Sequence, residues 1–227
     1  MRNDKKQLII YAHRHIEPII PHKTVYGSKE DYPLKVNTAQ TLEKLDIAAK
    51  TIPKQCKRIS SPSPRAIQTE LAILERQFNT TANVNFSVDE RVDELNLGSW
   101  VGRKENLALK LSALPRFLVC SFNMAHSLNL IKNGVECTPF PKGENIRTLN
   151  RRALNVIQTL NDQHKRGEIL NGIVSISTHS GFMRALESIA TGKSFTKLDK
   201  PDYLEVRAYK VSASNQLERL QITSQAF

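Results

Sequence analysis

Residues 8–17 read LIIYAHRHIE, a short apolar run that ends in charged and ionisable side chains. The first five residues are apolar or aromatic without alternation, which is typical of a strand buried on both faces of a parallel sheet. Ligands of such sheets bind at the carboxyl ends of the strands. Arg14 and His15 therefore have two interpretations: they are polar residues that end a strand, or reactive groups displayed at its carboxyl end.

Helical and strand-like segments alternate after this first strand. A helix is predicted from Thr38 until Pro53 stops it, and a second from Ser63, as N-cap, to Asn79. Such alternation favours a mostly parallel α/β sheet covered by helices on both faces. The further predicted elements are strands at 57–61, 83–88 and 173–177, helices at 106–132 and 144–164, a helix ended by Gly192, and a C-terminal hairpin at 203–224.

The whole chain of 227 residues is expected to form a single domain. Its 40% hydrophobic content is that of a globular protein, and no repeat, low-complexity tract or linker divides it. A helical insertion is expected at about 103–142, and its apolar side chains suit either a cap over a site or an interface with another subunit. The sequence does not decide between these roles, so a homodimer stays open.

The net charge of +11 indicates an anionic partner, which could be a phosphorylated metabolite, nucleic acid or an acidic membrane surface. The basic residues are spread along the chain without a basic run or an aromatic-interleaved stripe, which does not favour nucleic acid. The three cysteines lack metal-like spacing and fit a reducing compartment. No stretch reads as a signal peptide or a membrane span, so a cytoplasmic protein without membrane contact is expected.

Three predicted strands end in chemically capable residues. HRHIE follows the first, SSPSPRA the second, and STHSG the strand at 173–177. If these ends lie side by side, Arg14, His15, Arg65 and His179 share one small volume. Two arginines and two histidines repel one another unless an anion joins them, so the group indicates a receptor for phosphate or a similar dianion.

These residues resemble a known family. RHIE at 14–17 resembles the Arg-His-Gly-Glu signature of the histidine phosphatase superfamily, branch 1, whose members are phosphoglycerate mutase-like. Five further segments resemble the landmarks of that family in the expected order and span nearly the whole chain. They are DYPL at 31–34, SSPSPRAIQTE at 60–70, DELNLGSWVGR at 93–103, FPKGEN at 140–145 and STHSGFMRAL at 177–186.

The resemblance implies a three-layer α/β/α sandwich, a phosphohistidine mechanism and no metal or other cofactor. His15 would be the nucleophile, and Arg14, Arg65 and His179 would hold the phosphoryl oxygens. Glu94 would be the general acid that protonates the leaving oxygen and later activates water. The catalytic residues implied in this way are His15, Glu94 and His179.

Other residues near these motifs are expected to support the site or to lie outside it. Glu17 and Glu144 match family positions and are expected to order one of the two site arginines. Ser180 is assigned to the same supporting group, after the second site histidine. His13 is expected at the pocket rim or on the surface. Glu94 stands in a run of acids that includes Asp93, so taken alone it reads as a solvated acid, and only its spacing to the following glycines singles it out.

Three departures from the family pattern indicate an altered pocket. Ile16 stands where glycine follows the first histidine, and a β-branched side chain there would crowd a bound phosphate or require unusual backbone angles. Pro18 replaces a small hydroxyl residue, and Ser180 replaces a glycine. The charged positions of the family pattern are nevertheless all present.

The leading hypothesis is a phosphatase that hydrolyses a phosphomonoester, either a phosphorylated small molecule or a phosphoprotein, through phosphorylated His15. The alternatives are a phosphate-binding protein without turnover, which Ile16 favours, and a mutase, which the absence of the longer mutase pattern disfavours. The sequence does not identify the substrate.

Overall fold

A computed structural model describes residues 7–21, 24–27, 30–80, 85–104 and 142–222. Most of these residues lie in strands and helices. The strands are β1 (Leu8–Arg14), β2 (Lys57–Ser60), β3 (Ser87–Val88), β4 (Ile173–Thr178), β5 (Val206–Val211) and β6 (Leu217–Leu220), and the helices are α1 (Ala39–Thr51), α2 (Pro64–Phe78), α3 (Ile146–Lys165) and α4 (Ser180–Thr191).

The six strands form one sheet in the order β3-β2-β4-β1-β5-β6. Strands β3, β2, β4 and β1 run parallel, whereas β5 pairs antiparallel with both β1 and β6. The prediction of a mostly parallel sheet that ends in a hairpin is confirmed. Arg14 lies opposite Thr178, and Ser60 lies opposite Ser177, so β1, β2 and β4 end at the same edge.

Helices cover both faces of the sheet. On one face, Ile10 and Ala12 of β1 share a core with residues of α3 and α4, such as Leu149. On the other face, Tyr11 packs against a second core that contains Leu45 of α1 and residues of α2. This period of two along β1 is what a strand buried on both sides requires, and it gives the expected three-layer arrangement.

Most helix ends lie where the sequence predicts them. The side chain of Thr38 accepts a hydrogen bond from the amide of Thr41 as the N-cap of α1, and left-handed residues Asn79 and Gly192 follow α2 and α4. Ser63 precedes Pro64 in extended conformation, but its side chain makes no capping hydrogen bond.

Two sequence expectations have a different outcome. Of the strand expected at 83–88, the described residues form only the two-residue β3. The helix expected at 106–132 and nearly all of the insertion expected at 103–142 lie outside the described residues. Within the described part of the chain, none of the helices combines the length and apolar composition needed to cross a bilayer.

His13 is buried beneath the carboxyl edge of the sheet, which corrects the expectation that it lies at the pocket rim or on the surface. Its Nε2 lies 3.0 Å from Oε2 of Glu70, and Nη1 of Arg58 donates to the other oxygen of Glu70 at 2.7 Å. Arg58 also donates to Gln77, whose amide nitrogen donates to the Ile52 carbonyl behind α1. This buried network joins β1, β2, α2 and the end of α1.

Glu70 is the acceptor at the centre of this network. Burial raises the pKa of its carboxyl, but the hydrogen bonds and charges of His13 and Arg58 outweigh burial and hold the pKa below its ordinary value. A carboxyl with a depressed folded-state pKa stabilises the protein above its unfolded-state pKa of about 4.3, and this contribution is lost as the pH falls through the folded-state pKa.

Replacing Glu70 by Gln is expected to lower the free energy of unfolding at pH 7 by about 3 kcal/mol, because the buried guanidinium of Arg58 loses its counter-charge. Urea unfolding measures the change, and the loss should shrink as the pH falls from about 4.3 toward the lower folded-state pKa, at which the wild-type carboxyl is itself protonated. The matched control is Glu75→Gln on the exposed face of the same helix, expected to change stability by less than about 0.5 kcal/mol. Equal unfolding midpoints for the two variants would contradict the role of Glu70.

Candidate active site

Four side chains predicted from the sequence lie together at the carboxyl edge of the sheet. Arg65 connects them: its Nε lies 3.2 Å from Nε2 of His15, and its Nη2 lies 3.3 Å from Nδ1 of His179. The two imidazole rings have centroids 5.1 Å apart. Arg14, His15, Arg65 and His179 are each at most 3% exposed, so the cluster is enclosed by protein.

Backbone hydrogen bonds continue past the ends of the strands and hold the connecting segments in place. The amide of His15 donates to the carbonyl of Thr178 at 3.1 Å, and the amide of Ser61 donates to the carbonyl of Ser177 at 2.9 Å. Pro64 opens α2 and places Arg65 in its first turn. The side chains from three separate loops therefore leave the sheet at fixed positions.

His15 has one defined tautomer. Its Nδ1 lies 2.7 Å from the carbonyl of Ile16, which can only accept, so Nδ1 carries the proton and Nε2 presents its lone pair toward Arg65. Burial lowers the pKa of His15 well below its ordinary value, and the nearby charges of His179 and Arg65 lower it further. The imidazole is therefore neutral at physiological pH, and Nε2 is available as a nucleophile.

Arg14 keeps a donor for a ligand. Its Nη1 donates to the carbonyl of Pro201 at 2.8 Å, and its guanidinium carbon lies 3.6 Å from the ring centroid of Tyr203. Its Nε is buried and has no hydrogen-bond acceptor among the described residues. An anion at this edge of the sheet could satisfy that donor.

Two tyrosines that the sequence did not indicate border the cluster. The ring of Tyr203 lies 5.6 Å from the ring of His15, and its hydroxyl lies 3.4 Å from the hydroxyl of Tyr26. The guanidinium of Arg65 lies 5.2 Å from the ring of Tyr26. Leu204 holds Tyr203 in place with a left-handed backbone (φ 63°), a conformation rare for a residue with a side chain. No local pattern marks Tyr203, because only the pairing of β5 with β1 brings it here.

Glu94 is held at the start of α4. Its Oε1 accepts hydrogen bonds from the amides of Leu95 and Gly181, each at 2.8 Å, while Oε2 has no donor among the described residues. A side chain at position 181 would collide with Oε1, so it would displace the Glu94 carboxyl from this position. The charge of Glu94 also favours the protonated forms of Arg65 and His179, which places the carboxyl near the cationic cluster.

Asp93, which the sequence did not single out, contacts residues of the site. Its Oδ1 accepts a hydrogen bond from Oγ of Ser61 at 2.8 Å and lies 3.3 Å from Nε2 of His179. A run of acids gives no sign of which member turns inward. The only signal available in the sequence was adjacency to Glu94.

Glu17 and Glu144 do not order Arg14 or Arg65 as expected. Glu17 pairs instead with Lys35 at 2.8 Å, in a half-exposed position. Glu144 binds Arg152, and Nη1 of Arg152 donates to the backbone carbonyls of Arg91 and Asp93. Glu144 therefore supports the segment that carries Glu94, because the start of α3 lies beside that segment rather than beside the arginines.

The departures at Ile16 and Ser180 do not block the site. The side chain of Ile16 is fully buried in the core that contains Leu34 and Leu45, and it points away from the cationic cluster. Its φ lies outside the left-handed region, and its amide donates to Oγ1 of Thr69 at 2.9 Å. The expectation that Ile16 crowds a bound phosphate is therefore wrong. Ser180 is the first residue of α4, where glycine is not required.

The arrangement suits an anion with several oxygens. The cluster contains two guanidinium groups and two imidazoles, and the charge of Glu94, whose Oε2 has no donor among the described residues, acts on it. Among the described residues, no three His, Cys, Asp or Glu side chains are grouped as ligands for a metal ion. The chemistry that these groups allow is nucleophilic transfer of a phosphoryl group.

Comparison with solved structures shows the same fold in phosphatases and a mutase. The chain is similar to YhfR from Bacillus stearothermophilus (20% identity, TM-score 0.68, 93% of this chain and 95% of that chain). It is also similar to a phosphoglycerate mutase from Bacillus anthracis (17%, 0.69, 97% and 95%) and to the alpha-ribazole phosphatase from Shigella flexneri (15%, 0.67, 96% and 96%). A search of curated proteins finds no match.

Comparison with protein families extends the likeness to the sequence. The family described as the histidine phosphatase superfamily (branch 1) matches residues 10–221. This match includes every strand of the sheet apart from the first two residues of β1, and all the side chains of the cationic cluster. The chain therefore belongs to branch 1 of the histidine phosphatase superfamily.

Proposed function

We propose that this protein is a phosphatase that hydrolyses a phosphomonoester through a phosphohistidine on His15. The observation that carries the proposal is the neutral, Nδ1-protonated imidazole of His15, whose Nε2 faces the donors of Arg65 in a buried cationic cluster. A cluster of this charge without a nucleophile would support binding alone. The defined tautomer adds the group that chemistry at phosphorus requires.

The phosphoryl group would neutralise the repulsion within the cluster. Arg14 contributes its Nε, which has no acceptor among the described residues, and Arg65 contributes its guanidinium, while His179 can donate only after Nδ1 is protonated. Donors that are already in place need no rearrangement as charge develops on the equatorial oxygens during transfer. Because the site is enclosed, water competes little for these donors, and each interaction with the anion is strengthened.

The reaction would proceed in two steps. In the first, Nε2 of His15 forms a bond to phosphorus as the ester P–O bond breaks, and protonated Glu94 gives its proton to the leaving oxygen. In the second, Glu94 removes a proton from water, the water oxygen bonds to phosphorus, and the bond from phosphorus to Nε2 breaks. The products are an alcohol, inorganic phosphate and neutral His15, so Glu94 ends the cycle protonated.

The substrate is proposed only as a class, a phosphorylated small molecule or a phosphoprotein. The solved structures of this fold include both a phosphoglycerate mutase and an alpha-ribazole phosphatase, so the fold allows either outcome for the phosphoryl group. Transfer to water needs no second bound hydroxyl and no bisphosphate. A generic aryl phosphate supplied alone therefore separates the two activities.

Replacing His15 by Ala is expected to abolish hydrolysis of p-nitrophenyl phosphate, because no other buried imidazole among the described residues presents an unprotonated Nε2 within this site. Phosphate release is measured without added bisphosphate, and rapid quenching at alkaline pH should trap phosphohistidine in the wild type only. The control is His164→Ala at the end of α3, remote from the cluster, which should retain wild-type turnover.

Three results would contradict the phosphatase assignment. Equal rates of hydrolysis for wild type and His15→Ala would exclude His15 as the nucleophile. Turnover that requires an added bisphosphate would indicate a mutase. Phosphate binding without turnover and without a trapped phosphohistidine would indicate a binding protein.

Replacing Glu94 by Gln is expected to lower kcat/KM about 100-fold or more for an alkyl phosphate, because the alkoxide leaving group then departs without a proton. The loss should be smaller for p-nitrophenyl phosphate, whose leaving group is stable as an anion. Steady-state kinetics with both substrates measure the difference, and Glu90→Gln, an exposed acid in the same segment, is the control. Equal losses for the two substrates would exclude Glu94 as the general acid.

A further inference from the structure

The ring of His179 is held through both of its nitrogens. Its Nε2 lies 2.8 Å from Oγ of Ser61 and 3.3 Å from Oδ1 of Asp93, and its Nδ1 lies 3.3 Å from Nη2 of Arg65. A guanidinium only donates hydrogen bonds. In the neutral ring, Nδ1 is therefore the acceptor and Nε2 carries the proton.

The hydrogen bonds around Ser61 lead to the same assignment independently. The hydroxyl of Ser61 donates to Oδ1 of Asp93 at 2.8 Å, so its oxygen has to accept from His179. The amides of Ser63 and Glu94 complete the arrangement by donating to Ser61 Oγ and to Asp93 Oδ1. Asp93 and Ser61 thus fix which nitrogen of His179 faces the cationic cluster.

The nitrogen that faces the cluster cannot bind an anion in this state. An unprotonated Nδ1 presents a lone pair, which would repel a phosphoryl oxygen. To donate to that oxygen, His179 has to take a second proton on Nδ1 and become a buried imidazolium. Arg65 opposes this charge, whereas the carboxylates of Asp93 and Glu94 favour it, and of these two carboxylates Asp93 contacts the ring.

We propose that Asp93 is a positioning residue of the phosphoryl site: with Ser61 it keeps a proton on Nε2 of His179, directs Nδ1 at the bound anion, and compensates the imidazolium that forms when the anion binds. The role resembles that of a buried carboxylate that orients and charges a catalytic imidazole. This role of Asp93 rests on the proposed function only because it places a phosphoryl group beside His179. It can be tested by phosphate binding, without measuring hydrolysis.

The groups that face His179 come from three elements. They are His15 after β1, Arg65 in the first turn of α2, and Asp93 with Glu94 in the segment before α3. Oε1 of Glu94 accepts hydrogen bonds from two backbone amides. This oxygen is therefore not available to replace Oδ1 of Asp93 beside Nε2 of His179. The burial of His179 is complete, which lowers its pKa and makes the compensating charge of Asp93 decisive.

The test is the pH dependence of phosphate binding in Asp93→Asn. Removing the carboxylate lowers the pKa of His179 in the complex, so the protonated ring survives only to lower pH. We expect the Kd for inorganic phosphate to rise about tenfold or more at pH 8, as a shift of one pKa unit implies, and to change much less at pH 6. Calorimetric titration measures the Kd, and the titration of phosphate itself is common to all variants.

Asp89→Asn is the matched control, because Asp89 lies in the same segment and binds Arg91 instead of a histidine. It should bind phosphate as the wild type does at both pH values. Ser61→Ala keeps the carboxylate but removes its bridge to Nε2, and should shift the pH dependence in the same direction by a smaller amount. This second variant tests the proposal even where Asp93→Asn fails to fold.

NMR of the imidazole nitrogens in the wild type measures which nitrogen of His179 is protonated. A purely structural role of Asp93 would not affect this protonation. His179, assigned with His179→Gln, should carry its proton on Nε2 in the free protein and on both nitrogens with phosphate bound. A proton on Nδ1 in the free protein would overturn the proposal, as would identical pH dependences for Asp93→Asn and Asp89→Asn. If phosphate binds with both nitrogens of His179 protonated but no ester is hydrolysed, the phosphatase assignment is wrong and the positioning role of Asp93 still holds.

Discussion

The parallel pairing of β1 and β2 with β4 is the constraint on which the site depends. The hydrogen bonds from the amides of His15 and Ser61 to the carbonyls of Thr178 and Ser177 prolong this pairing beyond the strands themselves. Side chains alternate across a sheet, so a slip of one residue in either pairing would send a site residue to the opposite face. The positions of Arg14, His15 and His179 are therefore decided first by backbone geometry and only then by side-chain contacts.

The electrostatic arrangement follows from that geometry. Buried cations are costly unless opposite charges or fixed dipoles accompany them. In this chain, the ring of Tyr203 and a backbone carbonyl accompany Arg14, while the carboxylates of Asp93 and Glu94 lie near Arg65 and His179. Arg14 keeps its Nε without an acceptor among the described residues, as a donor for an anion.

Much of the fold and of the cationic cluster could be predicted from the sequence, since each depends on local patterns that recur along the chain. Apolar runs that end in Arg14–His15 and in His179, and the Ser63–Pro64 start of a helix before Arg65, are visible without coordinates. The roles of Asp93 and Tyr203 could not be predicted in this way. An acid in a run of acids turns inward only because its segment is anchored by distant groups, and a tyrosine near the C-terminus reaches the site only through strand pairing.

Ile16 shows that a residue can depart from a family's sequence signature while the main chain at that position keeps its contacts with the site. Its carbonyl orients the ring of His15, its amide is taken by Thr69, and its side chain belongs to the core under α1 and α2. Only the main chain of this residue meets the site, so the side chain is selected by packing. A pattern search that requires glycine after the Arg-His pair would miss this chain. One residue that faces the core is therefore enough to exclude a protein with this fold and cluster from such a search.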